Sequence, residues 1–180
     1  MLELLAPAGN LDAVIAAVQN GADAVYMGFG DGFNARRSAD NFTQESFAKA
    51  VRYCHIRGCK VYVTLNTLVG DREMDAAAAL AQQASDAGAD AILVQDLGLA
   101  RVLRAALPDI PLHASTQMSI HNLAGVEAAA EMGITRAVLA RELSLEQIRF
   151  ISQHASIETE VFVHGALCFC YSGQCYMSAV

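Results

Sequence analysis

The chain repeats one short motif, which reads Asn20-Gly-Ala-Asp-Ala-Val-Tyr26 at its first occurrence and Ala87-Gly-Ala-Asp-Ala-Ile-Leu93 at its second. A looser copy reads Met132-Gly-Ile-Thr-Arg-Ala-Val138. Glycine readily adopts the left-handed conformation in which many helices end, and the residues that follow it are rich in strand formers. Each copy therefore predicts a helix that ends near the glycine and is followed at once by a strand.

Hydrophobic spacing extends this pattern along the chain. Asn10, Thr43 and Ser144 mark helix starts because each is a good N-cap residue with acidic or amide residues close behind it. Short strands that alternate with amphipathic helices favour a parallel sheet in an α/β fold. The predicted strands lie near 2–6, 23–28, 60–65, 90–95, 111–115, 134–140 and 157–163, and the helices near 10–20, 43–57, 72–87, 97–106, 122–132 and 144–154.

Seven strands at this spacing favour TIM-barrel-like (β/α) repeats. They predict an incomplete (β/α)8 barrel that lacks its last unit and forms one domain over 1–180. An open doubly wound sheet is the alternative.

The chain has 180 residues and a net charge of −7, which argues against nucleic-acid binding by this segment alone. No apolar run reaches the roughly 18 residues that a membrane span needs. Five cysteines without a secretory signal predict free thiols and a cytoplasmic location.

Polar side chains gather where the predicted strands end, which is the catalytic face of a parallel barrel. Arg36, in the loop after the second strand, and Arg141 could bind a carboxylate or phosphate, although solvated surface charge explains Arg36 equally well and Arg141 could pair with Glu142. Helix capping is the alternative role for Asp96 and Ser115. The other candidates on this face are Tyr26, Asn66, His113, Gln117, Glu142 and His164.

Three thiols lie in the stretch from His164 to Cys175, directly after the seventh predicted strand. Thiolates prefer soft metals and iron–sulfur clusters, so Cys168 and Cys175 are candidate metal ligands. Buried free thiols are one alternative. The other is a nucleophilic thiol, for which His164 or His113 could act as the base. Cys54 and Cys59 are interpreted as core cysteines, because Cys59 enters its strand at the opposite face.

Two segments near the C-terminus, Glu160–Cys168 and Tyr171–Ser178, resemble the signature of the U32 peptidase family, also called the collagenase-like protease family. The likeness continues in the same order through most of the chain. It includes Leu5–Gly9, Gly21–Tyr26, Val61–Thr67, Ile92–Asp96, Leu112–Gln117 and Val138–Leu143.

The resemblance implies a barrel-like N-terminal domain of an oxygen-independent hydroxylase with a [4Fe–4S] cluster on four cysteines. Cys168 and Cys175 match the first two cluster ligands of the family. The other two are expected beyond Val180, so the chain is expected to be truncated. Branches of the family hydroxylate a tRNA uridine, a ribosomal-RNA cytidine or a ubiquinone precursor, with prephenate as the implicated hydroxyl source. The ribosomal-RNA branch is the most similar, and RNA would be held by regions outside this chain.

In this first hypothesis Arg36 and Arg141 bind a small carboxylate donor, which His113, Asn66 and Gln117 position. The second hypothesis is a U32 peptidase, in which a cysteine or a metal site hydrolyses peptide bonds. The third is a metal-free scaffold fragment that binds a partner or forms a homodimer, since exposed strand edges and apolar faces favour association. Iron content separates the first hypothesis from the other two.

Overall fold

Strands and helices alternate throughout the computed structural model, which describes residues 2–30, 32–35, 41–165 and 168–175. The chain divides into two compact units, Met1–Leu93 and Val94–Val180. The strands are β1 (Leu5–Pro7), β2 (Ala24–Met27), β3 (Lys60–Leu65), β4 (Ala91–Val94), β5 (Leu112–Ala114), β6 (Arg136–Val138) and β7 (Glu158–Glu160). The helices are α1 (Leu11–Gln19), α2 (Gln44–His55), α3 (Met74–Asp86), α4 (Leu97–Ala106), α5 (Leu123–Glu131) and α6 (Leu145–His154).

In the first unit β1, β2 and β3 are parallel neighbours, with Leu5 opposite Ala24 and Ala24 opposite Lys60. The aspartate of each repeated motif joins its strand to the one before it. Asp23 Oδ2 accepts the Leu4 N–H at 2.8 Å, and Asp90 Oδ2 accepts the Val61 N–H at 2.7 Å. The motif thus encodes a strand and also the bond that sets it beside its neighbour.

The predicted helix ends are confirmed. Gly21, Gly88 and Gly133 have φ values of +89°, +96° and +81°, which L side chains rarely adopt. Helix starts are confirmed as well, since the side chains of Asn10 and Thr43 cap α1 and α2. Ser144 forms a full capping box with Gln147 at the start of α6.

In the second unit β5, β6 and β7 are parallel neighbours, and the Ser115 N–H donates to the carbonyl of Val94 at the end of β4. Arg136 is buried and bonds Glu158 on β7 at 2.6 Å. The capping role of Asp96 is confirmed, because its carboxylate accepts the Leu99 N–H at 2.8 Å. Ser115 caps a 3-10 helix, Thr116–Met118, that the sequence analysis did not predict.

The last strand is shorter than predicted. It ends at Glu160 rather than at residue 163, and Val163 is 85% exposed. The apolar run Val161–Val163 has the composition of a strand but lies on the surface.

Within the described residues no helix is long and apolar enough to cross a membrane. A single domain over 1–180 stays a prediction.

Candidate functional site

The cysteine-bearing segment Cys168–Cys175, here called the thiol loop, contains a tight turn. The Gln174 N–H donates to the Tyr171 carbonyl at 3.0 Å, and Gly173 has a φ of +77°. A Cβ atom on Gly173 would collide with the carbonyl oxygen of Gln117 and with the side chain of Ser119. Glycine is therefore required at position 173 for two reasons. It can adopt the positive φ, and it has no Cβ atom to collide with the segment after β5, on which the turn packs.

Ser172 anchors the thiol loop to the second unit. It is 2% exposed, and its hydroxyl donates to Glu142 Oε2 at 2.8 Å while its N–H donates to Oε1 of the same carboxylate. The hydroxyl also accepts the Arg141 N–H at 3.1 Å, and the Ser172 carbonyl accepts the Ser119 hydroxyl at 2.5 Å. Each polar group of this buried residue is thus hydrogen-bonded, as burial requires.

The Glu142 carboxylate is kept ionised by its surroundings. Burial of the side chain, which is 25% exposed, opposes its charge, but the two hydrogen bonds from Ser172 and the proximity of His121 outweigh that cost and lower the pKa of Glu142. His121 Nδ1 lies 2.6 Å from the Ser119 carbonyl, which can only accept, so Nδ1 carries the proton. Nε2 then faces Glu142 at 3.7 Å and forms an ion pair when it is protonated.

The three thiols of the loop differ in their exposure. Cys168 and Cys175 are exposed and Cys170 is half-buried. The pKa of Cys170 is raised, first by a hydrogen bond with the Cys175 thiol and then by the charges of Cys175 and Cys168. Exposure contradicts the alternative that Cys168 and Cys175 are buried free thiols. Two thiols available to solvent can react with or bind a soft partner.

Two other predicted site residues of the second unit meet the thiol loop. The guanidinium of Arg141 lies 4.9 Å from the ring centre of Phe162 and remains exposed, while the Arg141 backbone bonds Ser172. Gln117 is half-buried, and its carbonyl lies against Gly173. With Glu142, these residues line one side of the turn.

The two predicted histidines have different environments. His113 is 5% exposed within β5, in register with Arg136. His164 is exposed in the segment that joins β7 to the thiol loop. A role for either as a base or as a positioning group stays a prediction.

In the first unit the structure describes two predicted site residues, Tyr26 and Asn66. Tyr26 is half-buried in β2 and packs on a core cluster that includes Tyr62. Asn66 follows β3 directly, and its Oδ1 accepts the Ala35 N–H at 3.1 Å. Asn66 thus holds the loop after β2. Arg36, on the same loop, lies outside the described residues.

A close approach at Gly28 supports this arrangement of amides. The Asn34 side chain donates to the Asn41 side chain at 3.1 Å, and a Cβ atom on Gly28 would collide with both amides. The loop closes through Phe42, which exchanges backbone hydrogen bonds of 3.0 Å with Gly28 and Gly30. Three amides therefore gather at the carboxyl ends of β2 and β3, the catalytic side of parallel βα repeats.

The order of these segments matches a known protein family over nearly the whole chain. A family model described as peptidase family U32 matches residues 9–180. The chain belongs to peptidase family U32. This confirms the family that the C-terminal motifs predicted.

Two curated U32 relatives show what the chain is similar to. It is 45% identical over 177 residues to the 23S rRNA 5-hydroxycytidine C2501 synthase of Escherichia coli (strain K12), covering 98% of this chain and 26% of that protein. It is 42% identical over 176 residues to the tRNA hydroxylation protein P1 of Bacillus subtilis (strain 168), covering 98% of this chain and 42% of that protein. The chain thus spans less than half the length of either relative.

Solved structures support the fold. The U32 peptidase Mk0906 superposes with a TM-score of 0.74 at 17% sequence identity, covering 89% of this chain and 68% of that one. The prediction of TIM-barrel-like (β/α) repeats with parallel strands is confirmed. At this level of identity the likeness concerns the fold alone.

The U32 thiol loop suits an iron–sulfur cluster in part. Its donors are soft thiols, two of them exposed, which is the chemistry that such a cluster requires. Across residues 2–30, 32–35, 41–165 and 168–175, however, no three histidine, cysteine or acidic side chains are grouped to hold a metal ion. The described residues therefore fit two ligands of a four-cysteine set and do not complete it.

Three of the residues that hold the loop were not predicted from the sequence, namely Ser119, His121 and Ser172. One local signal was available, because Ser-Gly within Tyr171–Gln174 is typical of a turn. Ser119 carries no such signal and adopts a left-handed φ of +58°. Its bond to Ser172 spans 53 residues of sequence, so no local pattern could have found it.

Proposed function

We propose that this U32 chain is the thiol-bearing part of an iron–sulfur-dependent, oxygen-independent RNA hydroxylation enzyme that modifies a ribosomal-RNA cytidine or a tRNA uridine. The observation that carries the proposal is the 45% identity to a 23S rRNA 5-hydroxycytidine synthase, supported by 42% identity to a tRNA hydroxylation protein. Because the chain spans 26% and 42% of these relatives, complete activity would also use parts of a longer protein.

Cys168 and Cys175 would supply two thiolates to a [4Fe–4S] cluster, with the remaining ligands from outside the described residues. When bound, such a cluster supplies electron transfer at a potential tuned by its ligands and their hydrogen bonds. The contribution of this chain would be to orient the two cysteine thiols. Ser172, held by Glu142 and Ser119, fixes the turn between the two thiols, so that their spacing is set before any ligand arrives.

The hydroxyl donor in this proposal is a small carboxylate, for which prephenate is the candidate. The exposed guanidinium of Arg141 can form paired hydrogen bonds with a carboxylate, and Gln117 lies on the same side of the thiol loop. Glu142 is already occupied by Ser172, which leaves Arg141 available for a ligand. The net charge of −7 argues that RNA is held by other regions, and we expect the protein to act in the cytoplasm.

The test is a chimera in which residues 1–180 replace the matching segment of the E. coli 23S rRNA synthase, in a strain that lacks that enzyme. Mass analysis of the rRNA fragment containing C2501 should show the gain of one oxygen. Cys168→Ser and Cys175→Ser should each abolish it, while the buried-cysteine control Cys54→Ala should not. A matching chimera with the B. subtilis relative tests tRNA. If both chimeras accumulate as folded protein and neither RNA gains oxygen, the proposal is wrong.

A second candidate is peptide hydrolysis, which the family description as a peptidase favours. In this case the exposed thiol of Cys168 would be the nucleophile. The same chimeras, incubated with gelatin, should then release peptides, and Cys168→Ala should stop the release while iron chelation should not. RNA hydroxylation without gelatin cleavage would reject this candidate. Homodimer formation remains a separate prediction, to be checked by sedimentation.

A further inference from the structure

We propose that Phe162 and Tyr171 form a stacking site for one unpaired nucleobase beside the thiol loop. Stacking needs no metal, so this binding can be measured on the metal-free chain. The choice of cytosine as the base to test rests on the proposed function, since the relative at 45% identity is named for a hydroxycytidine.

Several aromatic side chains are exposed at and next to the thiol loop. Phe169 is 100% exposed, Tyr171 is 70% exposed and Phe162 is 46% exposed. Large apolar side chains gain free energy when they are buried, and a group of them left exposed commonly marks a surface that binds a partner. These rings are therefore candidates for contact with a ligand.

Two of these rings are held in place by contacts with neighbouring side chains. The Arg141 guanidinium lies 4.9 Å from the centre of the Phe162 ring, which is a cation–π contact. The Tyr171 and His121 rings are tilted by 55° with their centres 6.5 Å apart, an arrangement that aromatic pairs favour. A ring that is already held loses less conformational freedom when a ligand binds, which favours affinity.

The Ser172 anchor connects both rings to the thiol loop. Tyr171 is the residue before Ser172 in the chain. The Ser172 hydroxyl accepts the backbone N–H of Arg141, whose side chain covers Phe162. Both rings are thus attached to the segment that fixes the turn, and a base stacked on them would lie beside the exposed thiols.

The groups around the rings suit a nucleobase better than a segment of another protein. A base has π faces for stacking and an edge of hydrogen-bond donors and acceptors. Arg141 and Gln174 are exposed and His121 is half-buried, so all three can offer hydrogen bonds to that edge. The core of a protein interface is instead depleted of charged residues, whereas here a guanidinium lies directly over Phe162.

The uncharged rings also agree with the charge of the chain. A net charge of −7 disfavours contact with the phosphates of RNA. Stacking on an aromatic ring uses the face of the base and requires no positive charge. We therefore expect other regions of a longer protein to hold the RNA backbone while these rings bind one unpaired base.

The experiment records the aromatic NMR signals of the reduced, metal-free chain while cytidine monophosphate is added. The matched ligand is ribose phosphate, which has the sugar and the phosphate but no base. We expect cytidine monophosphate to shift the ring protons of Phe162 and Tyr171 upfield, because a stacked base shields them. Ribose phosphate should leave both sets of signals unchanged.

Variants test each ring in the same titration. Tyr171→Leu and Phe162→Leu should each weaken the binding of cytidine monophosphate by about fivefold or more, because each removes a stacking surface. Phe150→Leu is the matched control. Phe150 lies on α6, is 54% exposed and packs beside His154 with ring centres 4.5 Å apart, so its loss should leave the affinity unchanged.

Three results would overturn the proposal. Equal shifts with ribose phosphate would mean that Arg141 binds an anion and that the rings bind no base. Equal shifts at Phe150 would mean that bases stack on any exposed ring. No shift in the folded chain would mean that the rings serve another partner, such as a protein segment. The RNA-hydroxylation chimeras do not enter this experiment, so the stacking site can fail while the proposed function stands, and the reverse.

Discussion

The Ser172 hydroxyl donates a hydrogen bond of 2.8 Å to the Glu142 carboxylate across 30 residues of sequence. Through this bond the loop that carries the exposed thiols is held to the segment after β6. Glu142 was predicted as a substrate-binding residue on the strand-end face. Both carboxylate oxygens accept hydrogen bonds from Ser172, so Glu142 holds the loop, and a role in substrate binding stays a prediction.

Replacing Ser172 with alanine should destabilise the second unit. The substitution removes the hydroxyl that Glu142 and the Arg141 N–H both use, and unsatisfied buried groups cost about 1–3 kcal/mol. Urea unfolding should show this loss. The control is Ser156→Ala, which removes an exposed hydroxyl bonded to Glu127 at 2.6 Å and should cost under about 0.5 kcal/mol. Equal losses in the two variants would mean that Ser172 does not anchor the loop.

Gly173→Ala should cost more stability than Gly21→Ala. Both glycines have positive φ values, +77° and +89°, so both variants suffer the conformational penalty of about 1 kcal/mol. Only at Gly173 does the added Cβ also meet the Gln117 carbonyl and Ser119, since Gly21 faces open space. Thermal unfolding measures both losses, and protease digestion shows whether Gly173→Ala loosens the thiol loop. If the two variants behave alike, the loop does not pack against Gln117.

Glu142 should make stability depend on pH. Its pKa is lower in the folded protein than the ordinary value of 4.5, so its stabilisation is fully present above pH 4.5 and is lost as the pH falls through the folded pKa. The difference in unfolding free energy between the wild type and Glu142→Gln should therefore be largest near pH 7 and should shrink below about pH 4.5. A difference that stays constant from pH 7 to pH 3 would show that the charge of Glu142 plays no part.

Four of the five cysteines should fall into two classes of reactivity with iodoacetamide. Burial first, and then the neighbouring Cys59, raises the pKa of Cys54 to about 12, and burial raises the pKa of Cys59 as well. Both thiols should remain unlabelled near pH 8 while Cys168 and Cys175, which are exposed, are labelled. Peptide mass mapping follows each site, and urea should make all five react. Labelling of Cys54 at the rate of Cys168 in the native state would contradict the buried position.

Arg141 should contribute to binding of a carboxylate ligand. Calorimetry with prephenate and the RNA-hydroxylating chimera should give weaker binding for Arg141→Gln by about tenfold or more, since a charged hydrogen-bond pair contributes about 1.5–3 kcal/mol. Arg149→Gln, on α6, removes the same charge elsewhere and is the matched control. Equal affinity in the two variants would assign the ligand to other residues.

Much of the fold was predictable because its signals are local. Asn10, Thr43 and Ser144 cap helices through bonds to residues three positions on. Gly21, Gly88 and Gly133 end helices through their own backbone conformation. The burial of Cys54 and Cys59 also followed from their place in the βα repeat. The length of β7 was not predictable, because Val161–Val163 has strand composition and only pairing with a neighbour decides whether it extends.

The sequence by itself determined the order of strands and helices, the family, and the position of the thiols after β7. These follow from contacts within a few residues and from motifs that can be read directly. Only the tertiary structure decided which residues hold the thiol loop, since Ser172 meets Glu142 at a separation of 30 residues and Ser119 at 53. Such bonds depend on which loops the sheet brings side by side, and no spacing along the chain records that.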